Sequence, residues 1–286
     1  MKRVIIGDIH GCFDMFMKII DDEHPDQVIV LGDYFDSFNI KLDEQVVCFD
    51  KICELAKQYN NIKHKFPNND AFVLIIGNHD FHYLNDVDEH YSGFNPALKD
   101  IIADKLRDMI KSGDMLFVYE DKVNKTLFTH AGVSQIWLEN NFDSRLDNYL
   151  HMQNDFAFIG GALKMRYMFN DDYVYELTQK VNEYYTKFIE AHKFVGASMT
   201  GNDVKSSPLW IRPDALKKSA VIGYDQIFGH THDVKLKEYH LSDNKHLYNL
   251  DCIDYNNKHF ASYICEMLDD DTKKLIYRKK CSIQTN

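Results

Sequence analysis

The sequence predicts an α/β fold, and three observations carry that expectation. Three short apolar runs, Val4-Ile5-Ile6, Gln27 to Leu31 and Ala71 to Ile76, have the length and β-branched content of buried strands. Helical patterns separate them, over Phe13 to Ile20 and over Asp43 to about Tyr59. Such alternation gives parallel strands joined by right-handed crossovers. Each run also ends in a glycine followed by a polar residue: Gly7-Asp8, Gly32-Asp33 and Gly77-Asn78. Glycine lets the chain turn sharply there, and ligands of open α/β sheets bind at those strand ends.

The elements follow in order. Lys2 and Arg3 precede only three apolar residues before Gly7-Asp8, which makes a first strand and not a signal peptide. Phe13 to Ile20 is strongly apolar, a helix packed back on the sheet. In the second helix Val46, Val47, Phe49, Ile52, Cys53 and Leu55 form the buried face. Asn60 to Asn69 is polar, contains Pro67 and reads as a loop. Asn95 to Lys111 is helical again, with Pro96 near its first turn. Met115 to Glu120 and Thr126 to Thr129 read as a strand pair joined by the turn Asp121 to Lys125, and the second ends at His130-Ala131-Gly132.

Residues 143–193 break the alternation. They are rich in Tyr, Phe, Asn and Asp and carry a helical stretch from Asp171 to Lys193, which predicts an inserted helical cap. Ser206 to Pro213 is a loop holding Trp210 and Arg212. Ala220 to Phe228 is strand-like and ends at Gly229-His230-Thr231-His232, and Lys235 to Cys281 reads as successive strands between Asp/Asn/Lys turns. No repeat or long linker divides the chain, so residues 1–286 are expected to form a single domain.

Composition narrows the class. With 286 residues, 45% hydrophobic and 27% charged, the chain can bury a sizeable core. No apolar run approaches the ~20 residues of a membrane span. The six cysteines (12, 48, 53, 252, 265 and 281) show no CxxC or zinc spacing and read as reduced core thiols of a cytoplasmic protein. A net charge of −11 argues against a nonspecific nucleic-acid binder but not against an anionic substrate, since a bound metal supplies local positive charge.

Carboxylates and imidazoles gather at the strand ends: Asp8 and His10, Asp33 and Asp36, Asn78 and His79, His130, then His230 and His232. Converging at one sheet edge, they make a mixed oxygen and nitrogen metal site that suits Mn²⁺, Fe or Zn²⁺ better than Ca²⁺ or Mg²⁺. Asp33 is the natural bridge between two ions, a pair that can clamp a phosphoryl group and lower the pKa of a shared water. Alone, each Gly-Asp is an ordinary turn and each histidine an ordinary loop residue. Five such blocks in order, each at a predicted strand end, are not.

Gly7-Asp8-Ile9-His10-Gly11, Gly32-Asp33-Tyr34-Phe35-Asp36, Gly77-Asn78-His79-Asp80, His130-Ala131-Gly132 and Gly229-His230-Thr231 resemble, in order, the five signature blocks of calcineurin-like metallophosphoesterases. The spelling is nearest the serine/threonine phosphoprotein phosphatase branch with its bacterial and phage relatives, which include symmetrical dinucleoside-tetraphosphate hydrolases. The resemblance covers residues 7–232, most of the chain apart from the cap and the tail. It implies one metal on Asp8, His10 and Asp33 and a second on Asp33, Asn78, His130 and His230. His79 would be the general acid, oriented by Asp36, a role that suits an imidazole beside a carboxylate.

Three departures stand out. The protein-phosphatase branch continues its second block with Arg-Gly, where that arginine holds the substrate phosphate; here Ser37-Phe38 stand instead. The third block ends in Asp80 where Glu is usual, a mild change, and Asp80 is read as a support for the loop. The fifth block adds His232, which in more distant metallophosphoesterases ligates the first metal. Arg212 resembles an arginine-bearing loop of the bacterial branch and is the candidate phosphate-binding cation, with Asn78 beside it. Trp210 and the aromatic cap are read as packing, and His24, His64, His82 and His90 as solvated.

The expectation is therefore an α/β sandwich of two mixed sheets flanked by helices, with a dinuclear site at the strand ends. Mn²⁺ is the first choice of metal, with Fe or Zn²⁺ as alternatives. The expected reaction is hydrolysis of a phosphomonoester, phosphoserine and phosphothreonine in proteins included. The alternatives are a nucleotide or dinucleoside-polyphosphate hydrolase, with cap residues holding a base, and a metal-bound pseudophosphatase that binds a phosphorylated partner without turnover.

Overall fold

The computed structural model describes residues 1–62, 70–84, 93–142, 178–183, 185–186, 201–251 and 260–284. β1 (Lys2–Ile6), β2 (Gln27–Val30), β3 (Phe72–Ile75) and the short β4 (Met115–Leu116) run parallel, joined through α1 (Phe13–Glu23), α2 (Leu42–Ile62) and α4 (Lys99–Ser112). A one-turn helix, α3 (Asn78–Phe81), follows β3 directly. On the other side of β1 the tail returns as β10 (Phe260–Leu268) and β11 (Leu275–Gln284), both antiparallel to their neighbours. The six-stranded sheet has the order β11-β10-β1-β2-β3-β4.

The second sheet holds β5 (Val118–Asp121), β6 (Thr126–Thr129), β7 (Asp225–Phe228), β8 (Lys237–His240) and β9 (His246–Asn249), in the order β5-β6-β7-β9-β8. It too is mixed, with β6, β7 and β9 parallel. Two shorter helices, α5 (Gln135–Phe142) and α6 (Pro213–Ser219), lie between β6 and β7 in the chain.

Strand alternation makes the layers. Ile5, Ile29, Val73 and Ile75 project from the first sheet onto Phe128, Ile227 and Tyr248 of the second and form the interior of the sandwich. The intervening Val4, Ile6, Val28, Val30 and Leu74 face the other way, onto Phe16 and Ile19 of α1, Phe49 and Ile52 of α2, and Ile102 and Leu106 of α4. Ala215 and Leu216 of α6 cover Phe228 and Leu247 on the outer face of the second sheet. Each of these large side chains contributes roughly 1.5–3 kcal/mol by leaving water. The result is the expected sandwich of two mixed sheets flanked by helices.

Several elements differ from the sequence reading. Met115 to Glu120 is not one strand: β4 belongs to the first sheet and β5 to the second, and the chain crosses between them at Phe117. The Asn182 side chain makes the crossing possible, accepting from the Phe117 and Val118 amides (2.8 and 3.1 Å) and donating to the Val118 carbonyl (2.8 Å). The seventh strand begins at Asp225 rather than Ala220, because α6 and a turn at Gly223 (φ +80°) occupy the preceding residues. α2 runs on to Ile62, and the remainder of the expected 60–69 loop lies outside the described residues.

Of the expected cap, residues 178–183 and 185–186 are described and helical, and they pack into the core. Val181 is buried, and Tyr185 stacks on Phe117 at 4.1 Å between ring centroids. The rest of 143–193 lies outside the described residues, as do His64, His90 and Cys252. Cys12, Cys48, Cys53, Cys265 and Cys281 form no disulfide. Among the described residues no helix is long and apolar enough to cross a membrane.

Candidate active site

Six strands end on one rim, and the residues after them meet in a cleft of about 450 Å³. Asp8 and His10 follow β1, Asp33 and Asp36 follow β2, Asn78 and His79 open α3, His230 and His232 follow β7, and Asp251 follows β9; all of them line it, as does Arg212. His130, after β6, is fully buried beneath, its Nε2 2.7 Å from Asn78 Oδ1 and 3.5 Å from Asp33 Oδ2. Every residue singled out in the sequence is thus in one place.

The loops are bonded to each other. The amides of Ile9 and His10 donate to the Asp33 carbonyl (3.1 and 2.7 Å), which fixes the first block against the second. Asp80, fully buried, accepts from the amides of Asp33 and Gly77 on one oxygen and from Tyr34 on the other (2.9, 2.8 and 2.8 Å), locking the second block to the third. A Cβ on Gly77 would overlap the Asp33 carboxylate, and one on Gly229 the Asp8 carboxylate, so glycine there is what lets the acids come in.

Local strain is concentrated here. Of the eight non-glycine residues with positive φ among those described, four are His10 (42°), Asp33 (51°), Asp36 (66°) and His230 (66°). The left-handed conformation costs roughly 1–2 kcal/mol per residue, and such strain collects where function needs a side chain aimed against backbone preference.

The donor set fits metal ions. His130 Nδ1 donates to the Leu31 carbonyl (2.9 Å) and His10 Nδ1 to the Phe35 carbonyl (2.6 Å), so in the neutral rings each Nε2 presents a lone pair. His10 Nε2 is 3.6 Å from Asp33 Oδ2. Burial holds the pKa of both His10 and His230 below the usual histidine value, in the neutral form that ligates. His230 Nδ1 lies 2.9 Å from Asn78 Oδ1, and its buried Nε2 has no hydrogen-bond partner.

Asp8, Asp33 and His130 each offer a ligand atom, all within 4.8 Å of one another. Burial and the nearby Asp251 and Asp33 charges push the Asp8 carboxyl up. For Asp33 burial acts the same way, but His130, His79 and His10 outweigh it and hold its carboxyl down. Lone pairs and carboxylates facing one another in a buried space call for cations.

Beside that cluster lies a different arrangement. Asp36 accepts from His79 Nδ1 (2.8 Å) and from the Tyr83 hydroxyl (2.6 Å), and His82 Nε2 is 2.8 Å from the same oxygen that meets His79. Burial of His79 opposes its charge, yet the Asp33 and Asp36 carboxylates raise its pKa to about 9. His82 corrects the sequence reading. It is buried, not solvated, because the turn that follows α3 folds it inward against Asp36 and the Phe94 ring.

Two more places in the cleft stand out. Asp251 is buried beside His232 (Oδ1 to Nδ1, 3.4 Å) and escaped notice because it falls in the β-rich tail. The signal was there: Leu250-Asp251 ends an apolar strand as Gly7-Asp8 does. Ser37-Phe38, where the related phosphatases carry Arg-Gly, are tied back by Gln45, which donates to the Ser37 and Ile40 carbonyls (3.3 and 2.6 Å). Phe38 stands 76% exposed at the lip of the cleft, so no cation replaces the missing arginine there.

The two mixed sheets and the strand-end cluster of acids and imidazoles define a metallophosphoesterase. Comparison with known proteins agrees: the family model for calcineurin-like phosphoesterases matches residues 1–234, and the chain belongs to that family. Among curated relatives, symmetrical bis(5'-nucleosyl)-tetraphosphatases from Vibrio cholerae and Hamiltonella defensa are 25% and 26% identical over 142 and 149 residues. Both alignments cover 48% of this chain and 46% of the relative, so the chain spans about half the length of the curated relatives it matches. A serine/threonine phosphatase from Saccharomyces cerevisiae, described as similar to human phosphatase PP5, aligns over all of this chain and 80% of its own, with a TM-score of 0.50 and 11% identity. That likeness speaks for the fold alone.

Proposed function

We propose that this chain hydrolyses phosphate esters at a pair of divalent metal ions, with phosphomonoesters, including phosphoserine and phosphothreonine, as the leading substrate class. The observation that carries the reading is the pairing of a buried lone-pair cluster with the adjacent His79–Asp36 dyad on one cleft wall. Asp8, His10 and Asp33, with His232 and Asp251 at their side, would hold one ion; Asp33, Asn78, His130 and His230 would hold the other. Bound there, the ions would supply charge neutralisation and a water of lowered pKa. Mn²⁺ is the first choice, with Fe or Zn²⁺ as alternatives.

The protein's own groups do the rest. His79 keeps one proton on Nδ1 against Asp36 and gives the other, from Nε2, to the departing oxygen. Asp36 orients the ring, while Tyr83 and His82 hold Asp36. Arg212, on the cleft border just before α6, is the cation for the substrate phosphate, with the Asn78 amide lining the same cleft.

A second reading is favoured by the aligned relatives: a dinucleoside polyphosphate as substrate, with Phe38 and Trp210 on the cleft wall near the base. The test is initial rates of the Mn²⁺-loaded chain on p-nitrophenyl phosphate, its diester analogue and a symmetrical dinucleoside tetraphosphate, with Asp33→Asn as control. Turnover of the monoester that vanishes in the control supports the leading class. Turnover of the tetraphosphate alone moves the assignment to the second. No turnover of any of the three, with both ions still bound, makes the chain a binding module.

A further inference from the structure

The β8–β9 hairpin carries a second group of ligand atoms, on the opposite side of the second sheet from the strand β5. Glu238 and His240 are two apart on β8 and therefore share a face, and His246 on β9 is the direct cross-strand partner of His240. Their ligand atoms, two imidazole nitrogens and a carboxylate oxygen, all lie within 4.8 Å of one another. The His240 and His246 rings are 4.7 Å apart between centroids, and His246 Nδ1 is 2.8 Å from Glu238 Oε1. Tetrahedral zinc, with bonds of about 2.0–2.1 Å to nitrogen and carboxylate oxygen, wants its ligand atoms roughly 3.3 Å apart.

The surroundings favour a fixed site over chance surface neighbours. Tyr248, on the same face two residues beyond His246, belongs to the apolar interior between the sheets and stacks on the His246 ring at an interplanar angle of 11°. The group therefore sits at the mouth of the sandwich, where Glu238 and His246 are partly buried and only His240 is exposed. Lys280, on the edge strand β11 of the other sheet, holds the second oxygen of Glu238. Glu238 Oε1 is thus aimed between the two histidines by a partner outside the ligand set, as orienting contacts do around metal sites.

We infer that Glu238, His240 and His246 form a separate site for a borderline divalent ion of the Zn²⁺ class, pinning the edge hairpin of the second sheet. Two imidazoles and one carboxylate select Zn²⁺ over Mg²⁺ or Ca²⁺, and on binding the ion displaces the proton that His246 shares with Glu238. The position, on the edge hairpin and outside the residues that line the cleft, makes the role structural.

The experiment is metal counting. The metal-stripped full chain is equilibrated with Zn²⁺ in the presence of excess Mg²⁺, and bound zinc per chain is measured by elemental analysis for wild type, His240→Ala/His246→Ala and His240→Gln. Wild type is expected to bind one ion more than the double variant, with His240→Gln, at an exposed position that leaves folding intact, weakening that ion's affinity at least tenfold. The Mn²⁺-dependent rate on p-nitrophenyl phosphate should be the same in wild type and both variants. Equal zinc content in wild type and the double variant overturns the proposal, and so does an extra ion that His240→Gln leaves at full affinity.

Discussion

At the scale of single residues, His79 and Asp80 are neighbours with opposite duties. His79 touches the cleft through a ring whose orientation Asp36 sets; its amide donates to Asp33 (2.9 Å), and its ring meets the His10 ring edge-on at 5.4 Å between centroids. His79→Ala should therefore lower the rate on p-nitrophenyl phosphate by ~10²–10⁴-fold while bound metal stays unchanged. Comparable losses of rate and metal would contradict the acid assignment. Asp80 never reaches the cleft. Replacing it with Ala leaves three buried amides without an acceptor, and at roughly 1–3 kcal/mol each the variant should lose at least ~3 kcal/mol in a urea melt.

Asp70, just before β3, offers a pH test away from the metals. Burial raises its carboxyl to about 6, with the Tyr119 hydroxyl opposing. The folded pKa lies above the unfolded one of ~3.9, so the native state favours the neutral acid. That contribution is complete below about pH 4 and is lost as pH rises through about 6. Relative to Asp70→Asn, wild type should lose stability across that window and run parallel above it, as measured by denaturation at stepped pH.

At the scale of elements, the sequence reveals strands and helices wherever an apolar run ends in glycine or a polar cluster. β1, β2, β3 and β6 were legible for that reason, and with them almost the whole cleft. The break at Phe117 was not, because Met115-Leu116-Phe117-Val118 is continuously apolar and carries no glycine or proline. The chain changes sheets there because Asn182, 65 residues away, takes over the bonds a neighbouring strand would have made. His82 was misread for a related reason: nothing local tells that the turn after α3 folds inward. Asn182→Ala removes three hydrogen bonds at this crossing, and at roughly 1 kcal/mol each it should cost about 2–3 kcal/mol without altering metal content.

At the scale of the molecule, the two sheets are joined by ion pairs as well as by the apolar interior. Arg3 on β1 is buried and bonds Asp121 of β5 (2.7 Å) and Glu266 of β10 (3.0 Å); Arg278 on β11 bonds the same Glu266 and Asp225 of β7 (2.6 and 3.0 Å). Removing one member leaves buried charge uncompensated. Arg3→Met should destabilise by about 3–5 kcal/mol, and a fall below 1 kcal/mol would show the network to be dispensable. Chelation acts on the whole fold too. Without cations the buried Asp8, Asp33 and Asp251 carboxylates face one another, so a chelator should lower the midpoint of thermal unfolding.

The place of β1 sets the order in which this molecule can be finished during synthesis. β1 is made long before β10, yet one of its two edges pairs with that strand, whose Met267 sits opposite Lys2. Until residues 260–268 leave the ribosome, that edge stays open beside some of the most apolar side chains of the protein, and an open apolar edge is a template for aggregation. The cleft obeys the same clock, since Asp251 reaches it only after all the other contributors. A nascent chain halted after residue 251 would hold every residue of the cleft and still lack the strand that closes the sheet beneath it. Such a chain should collect in inclusion bodies, and adding back residues 252–284 should return it to the soluble fraction.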